Sequence, residues 1–315
     1  MSPFVGVMYP VHYAVAVTFV GTEPGLNAFI LAHAGPASGA HVDIVPIAIL
    51  LAAAALYLGG IQRLSLRGRK WSLWRTVPFI AGLVTIGVAI ELPVLQAGSN
   101  PFTSHVVQHL ALSMAGPALM CLGAPLTLLL QASSRSTQTF LLRALNSTIV
   151  KFFTHPIVSW MIFVTSLFVL YYSGLYELSL RNELAHEIMH AHFIASGFLF
   201  FAGVVAIDPH PWRMPHGLRL LYVGLTLPAH AFLALALMSA RTPIAADFYL
   251  GIGRQLDDVL RDQKLGAGVM WIAGDLIAIL TVGIVAKQWA TQEDRVAGRE
   301  DKIVDMARLR DLELN

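Results

Sequence analysis

The sequence is poor in charge and in cysteine, and each shortage excludes a class of protein. Only 13% of its 315 residues are charged, whereas a soluble domain of this length usually carries about twice that share. The single cysteine, Cys121, excludes an intramolecular disulfide and any paired-cysteine metal or redox motif. A net charge of +2 is too small to favour a nucleic-acid partner. Hydrophobic residues make up 56% of the chain, which favours a membrane protein.

Runs of about 20 residues with almost no charged side chain predict the membrane spans. None of them shows the period-two alternation of a barrel strand, so we expect an all-α, polytopic transmembrane bundle of about seven helices in the lipid bilayer. The runs extend over Ile44 to Ile61, Thr76 to Leu95, His105 to Gln131, Pro156 to Tyr172, His186 to Ile207, Leu220 to Ala240 and Gly266 to Ala286.

The ends of the chain differ from the membrane domain. The apolar stretch Val11 to His33 contains Glu23 and Pro24, and we interpret it as an interfacial segment, with a further span as the alternative. The predicted organisation is an extracytoplasmic or interfacial segment at 1–43, a membrane domain at 44–290 and a charged tail at 291–315. The loops and tail of one predicted face carry 16 basic residues against 5 on the other. This bias predicts an outside N-terminus and a cytoplasmic C-terminus.

Two histidine pairs lie at the predicted outer ends of the third and fifth spans. His105 and His109 form one pair, and His186 and His190 form the other, each spaced i, i+4 on one helix face. Because these two spans run in the same direction, we expect two layers, His105 with His186 and His109 with His190. Imidazole suits copper, zinc, iron and nickel, so the four side chains are candidate metal ligands.

Other side chains near this depth could orient the ligands or add to them. Ionisable groups within a span usually face the bundle interior and serve a function there. His192 is about 200° around the helix from His190, so we expect it to face elsewhere. The candidates are Glu91, Glu187, His192, His230, Met270 and Asp275.

Several strings resemble the polytopic CtaG-type cytochrome c oxidase assembly factors of bacteria. The most specific is His105-Val-Val-Gln-His109-Leu, followed by Ala115-Gly-Pro117 and Leu122-Gly-Ala-Pro125. Supporting similarities are His155-Pro156, Leu175-Tyr176, Asp208-Pro209, Asp262-Gln263 and Met270-Trp271, so the resemblance covers about 45–289. The chain departs from that pattern at Met189, where an acidic residue is expected, and at Ala273, where proline is frequent.

The resemblance implies a multi-pass protein of the bacterial cytoplasmic (inner) membrane. It also implies that the partners are cytochrome c oxidase subunits or other assembly factors, and that the role is copper delivery or active-site maturation rather than enzymatic turnover. The leading hypothesis is therefore copper bound by His105, His109, His186 and His190 near the outer face. Because metal ligation needs neutral imidazoles, binding should weaken as the pH falls through about 6.5.

Two alternatives remain open from the sequence. A haem-binding or electron-transfer membrane protein could use His109 and His190 as axial ligands, one from each helix. Alternatively, the protein could be a metal-free structural partner of the oxidase, in which the histidines and acids form a hydrogen-bonded network that fixes helix packing.

Overall fold

The computed structural model describes residues 44–91 and 100–313, and this part of the chain is helical and contains no strand. The helices are α1 (Ile44–Leu66), α2 (Leu73–Glu91), α3 (Pro101–Leu110), α4 (Gly116–Leu122), α5 (Pro125–Ala132), α6 (Arg135–Leu145), α7 (Thr148–Phe153), α8 (Pro156–Tyr172), α9 (Leu175–Arg181), α10 (Glu183–Val205), α11 (His216–Gly224), α12 (Thr226–Met238), α13 (Ala246–Gly251) and α14 (Leu256–Glu313). A π-helical segment, Ala111–Ala115, joins α3 to α4.

Six of these helical stretches are long and apolar enough to cross a membrane. They comprise α1, α2, the stretch Pro101–Leu122, α10, the stretch His216–Met238 and the first part of α14. Helices α8 and α9 meet at 70° and give a seventh crossing if they form one broken span. The prediction of an all-α polytopic bundle is confirmed. The orientation of the termini stays a prediction, and the stretch Val11 to His33 lies outside the described residues.

The apolar run from His105 to Gln131 is divided among several helical segments. Helix α4 ends at Leu122, and α5 begins after Ala124, whose φ of 50° places it in the left-handed region. The π-helical segment ends just before Gly116 and Pro117. Pro117 has no N–H to donate to the carbonyl of Ser113, which removes one bond of the regular helix at this point.

Two aspartates that are distant in sequence cap the starts of α3 and α5. At the start of α3, Asp262 accepts hydrogen bonds from the backbone N–H groups of Phe102 (2.8 Å) and Thr103 (3.1 Å) and from the Thr103 hydroxyl (2.6 Å). At the start of α5, Asp208 makes the equivalent bonds, including one from the Thr127 hydroxyl at 2.5 Å. The first N–H groups of a helix have no intrahelical partner, so each carboxylate supplies the missing acceptors and stabilises the start of its helix.

A buried arginine donates hydrogen bonds to the C-terminal end of α10. Arg219 of α11 donates to the carbonyl oxygens of Val204 (2.6 Å) and Val205 (3.0 Å) and to Oε1 of Gln288 (2.5 Å). These are the carbonyls that the end of a helix leaves without an intrahelical donor. Gln288 belongs to α14, which continues without a break past the predicted tail boundary to Glu313. We call Arg219, Gln288 and the two carbonyls the arginine cluster.

Candidate metal centre

The four paired histidines lie together between α3 and α10, and we call them the histidine cluster. Within each helix the ring centroids are 4.0 Å apart for His105 and His109 and 4.1 Å apart for His186 and His190. Between the helices they are 5.6 Å apart for His105 and His186 and 6.3 Å for His109 and His190. The two layers expected from the spacing are therefore present, which requires α3 and α10 to run in the same direction.

A glycine sets the close approach of the two helices that carry the histidines. A Cβ atom at Gly197 would lie 2.1 Å from the carbonyl oxygen of Ser113 and 2.8 Å from Cγ of Pro117. Only glycine fits against a backbone at that distance, and small residues serve this purpose between packed membrane helices. Gly197 lies about two turns beyond His190, so this contact fixes how closely the two pairs face each other.

Three of the histidines are almost fully buried. The exposed fraction is 6% for His105, 2% for His109 and 3% for His190, whereas His186 is half-buried. Within the described part of the chain, both ring nitrogens of His105, His109 and His190 have no hydrogen-bond partner. A buried polar group without a partner costs about 1–3 kcal/mol, so the three rings lie in an energetically unfavourable arrangement unless something else bonds to them.

Aromatic rings enclose the cluster. Tyr176 stands edge-on to His105 with ring centroids 4.9 Å apart, and its hydroxyl is 2.6 Å from that of Tyr249. Phe193 lies 4.5 Å from His109, centroid to centroid. Sequence reasoning did not assign Tyr176 or Phe193 to the site. Phe193 follows His190 by three residues and therefore shares its helix face, which is the only signal the sequence offers for it.

The donor atoms fit a metal ion in kind, although the side chains do not yet surround one point. Over residues 44–91 and 100–313, no group of three or more His, Cys, Asp or Glu side chains is arranged to hold an ion. A shared ion would require the rings to turn their nitrogens toward one another. Imidazole nitrogens without hydrogen bonds, enclosed by aromatic rings, are suitable ligands for copper or zinc.

The acidic candidates lie on three different helices, α2, α10 and α14. Glu91 is the last residue of α2, and within the described residues its buried Oε1 atom has no hydrogen-bond partner. Glu187 lines a groove together with His190. Asp275 is hydrogen-bonded to Trp271 one turn earlier on α14.

The remaining candidates are on α10, α12 and α14. His192 faces α8, where its Nε2 atom is 2.7 Å from the hydroxyl of Ser166, so it points away from His190 as expected. His230 packs against α14, and a Cβ atom at Gly274 would lie 3.1 Å from its Nδ1 atom. Met270 is buried in the core of the bundle.

The fold and the site together define a polytopic membrane protein with a histidine cluster between two of its spans. Residues 55–292 match the family described as cytochrome c oxidase caa3 assembly factor, and the chain belongs to this family. The resemblance to CtaG-type assembly factors is thereby confirmed.

Proteins with no assigned function are among the relatives of the chain. It is 32% identical to uncharacterized proteins of Mycobacterium bovis and Mycobacterium tuberculosis over 260 residues, and to one of Mycobacterium leprae over 257. Each match covers 79% of this chain and 39% of the relative, so the chain spans about two fifths of the length of these relatives. No solved structure matches the chain significantly.

Proposed function

We propose that this protein supports cytochrome c oxidase assembly by holding copper at His105, His109, His186 and His190. Family membership supports the assembly role. The observation that carries the copper proposal is the burial of His105, His109 and His190 with ring nitrogens that have no hydrogen-bond partner among the described residues. The copper is cargo for the oxidase, whose subunits or other assembly factors are the proposed partners.

The ligand chemistry favours copper in a particular form. Four imidazoles suit Cu(II), whereas Cu(I) prefers thiolate or thioether ligands. The single cysteine, Cys121, is buried elsewhere in the bundle. A soft sulfur ligand would therefore have to be the thioether of Met189 or Met270. Since only neutral imidazole binds a metal, acidification should release the ion.

The proposed location is the bacterial cytoplasmic (inner) membrane with the N-terminus outside. The bias of basic residues supports this orientation. It places the starts of α3 and α10, and hence the histidine cluster, near the extracytoplasmic face.

The test is the copper content of the purified, copper-loaded protein. We expect about one ion per chain in the wild type, since four imidazoles complete one coordination sphere. His109→Ala and His190→Ala should lose most of it. His192→Ala is the matched control, because its ring faces Ser166 on the other side of α10, and it should bind like the wild type. Equal copper in all four proteins would overturn the proposal.

The packing favours an ion over a haem. A haem held axially by His109 and His190 needs a flat slot between α3 and α10. His105 and His186, with ring centroids 5.6 Å apart, fill the adjacent layer of that space. An absorption spectrum separates the two ligands directly, because a Soret band in the purified protein would establish haem.

A further inference from the structure

A groove on the side of the bundle ends at the histidine cluster. It has a volume of about 400 Å³ and lies between α1, α2 and α10. Its walls are mostly apolar, with Ile49 and Ile86 among the lining residues. The polar side chains that line it are Glu183, Glu187 and His190.

These three side chains form one stripe that runs from the start of α10 toward the interior of the bundle. They are spaced i, i+4 and i+7, so they share a helix face. Glu183 is the first residue of the helix and is exposed, whereas Glu187 is half-buried and lies about 6 Å further along the axis. His190 follows about 10 Å from Glu183 and is buried.

The two carboxylates lie at different depths along the helix. An acidic residue in the first turn of a helix interacts favourably with the helix dipole, which accounts for Glu183. Glu187 lies one turn deeper in a groove of apolar walls, where an acidic side chain gains little from that dipole. Carboxylates between low-dielectric walls concentrate cations and accelerate their arrival.

Buried aromatic side chains pack against His105. Tyr176 and Tyr249 are almost completely buried, and the hydroxyl groups of the two side chains are hydrogen-bonded to each other. Tyr176 lies against His105 and also against Phe102, whose ring is buried at the start of α3. These rings separate His105 from α13 and the segment that leads to α14.

We propose that the groove is the route by which a metal cation reaches the histidine cluster. Glu183 and Glu187 attract the cation, and His190 is the first imidazole it meets. This inference rests on the proposed copper function for the identity of the cation, while the existence of the route can be tested without copper.

The first test labels single cysteines with methanethiosulfonate reagents of opposite permanent charge. Ala191 lines the groove and is exposed, and Ala195, one turn further along α10, is also exposed but does not line it. The native Cys121 is buried and should stay unlabelled. We expect Ala191→Cys to react about tenfold faster with the cationic than with the anionic reagent. Ala195→Cys should show no such preference.

The charge preference should depend on the two groove carboxylates. Combining Glu183→Gln and Glu187→Gln in the Ala191→Cys background should remove most of the preference. Glu177→Gln is the matched control, since Glu177 is bonded to Arg181 on α9 and does not line the groove. Equal reaction of Ala191→Cys with both reagents would overturn the route, whatever the protein binds.

The second test blocks the groove and measures how fast Cu(II) enters the metal-free protein. Ala191→Trp should slow uptake about tenfold or more while leaving the final copper content at the wild-type level. Ala195→Trp should load at the wild-type rate. Uptake by Ala191→Trp at the wild-type rate would overturn the route. A wild type that takes up no copper at any time would instead overturn the proposed function, and the labelling result would still decide the route.

Discussion

The arginine cluster and the histidine cluster are both polar groups within the bundle, but they differ in whether their polar atoms have hydrogen-bond partners. Arg219, only 3% exposed, donates to two carbonyl oxygens and to Gln288, and Gln288 in turn donates to the carbonyl of Val205 at 3.2 Å. By contrast, the ring nitrogens of His105, His109 and His190 have no hydrogen-bond partner among the described residues.

This difference is the one expected between polar groups that hold helices together and polar groups that are available to a ligand. Away from water, satisfied groups hold helices in place, and unsatisfied groups cost free energy. A histidine network that served only helix packing would have its nitrogens bonded to one another or to carboxylates. The rings of His109 and His190 instead pack through their edges, as aromatic side chains do. The comparison therefore predicts different responses to mutation in the two clusters.

The largest effect should come from breaking the satisfied cluster. Arg219→Met keeps an apolar stem but leaves the carbonyl oxygen of Val204 and Oε1 of Gln288 without their donor, and the carbonyl of Val205 retains only the bond from Gln288. We expect the free energy of unfolding to fall by about 3 kcal/mol, because each buried acceptor that loses its donor costs about 1–3 kcal/mol. Titration of the purified protein with a denaturing detergent measures this change. Arg213→Met, at an exposed arginine nearby, should change stability by less than about 0.5 kcal/mol.

An intermediate effect is expected at the aspartate that caps α3. Asp262→Asn keeps the shape but replaces one accepting oxygen by a donating NH₂ group, which opposes the backbone N–H of either Phe102 or Thr103. We expect a loss of about 2 kcal/mol, from unmade hydrogen bonds and the lost helix-dipole interaction. Asp258→Asn is the control one turn earlier on α14. That carboxylate is exposed and bonded only to Arg261, an arrangement worth less than about 1 kcal/mol. Similar losses in both variants would contradict the capping role.

The sequence predicts the spans and the histidine layers because both depend on local information. Hydropathy locates helices such as α1 and α10 to within a few residues, since an apolar run in lipid has to be helical. The i, i+4 spacing places His105 beside His109, and the alternation of spans makes α3 parallel to α10. These local rules together define the two layers.

The features that the sequence did not predict depend on contacts between distant residues. The bonds from Asp262 to the start of α3 join residues 160 positions apart, and no periodicity in one chain marks such a pair. The π-helical segment at Ala111–Ala115 likewise reflects packing, because Gly197 of α10 lies against the carbonyl of Ser113. The groove depends on the relative positions of α1, α2 and α10, which hydropathy does not specify.

The smallest change in stability is expected for a substitution in the histidine cluster, which tests the comparison most directly. His109→Leu removes two unsatisfied nitrogens and retains apolar bulk against Phe193. In metal-free protein we expect stability equal to that of the wild type, or up to about 1 kcal/mol higher, because replacing unsatisfied polar groups by apolar ones is nearly neutral or stabilising.

Added copper should make the wild type more stable than His109→Leu. At a free copper concentration 100 times the dissociation constant, ligand binding stabilises the wild type by about 2.7 kcal/mol. His109→Leu, which has lost a ligand, should gain little at the same concentration. The same detergent titration with and without Cu(II) measures both quantities, and His192→Leu controls for loss of a histidine outside the cluster. If metal-free His109→Leu unfolds as readily as Arg219→Met, the histidine cluster is structural, and the distinction between the two clusters fails.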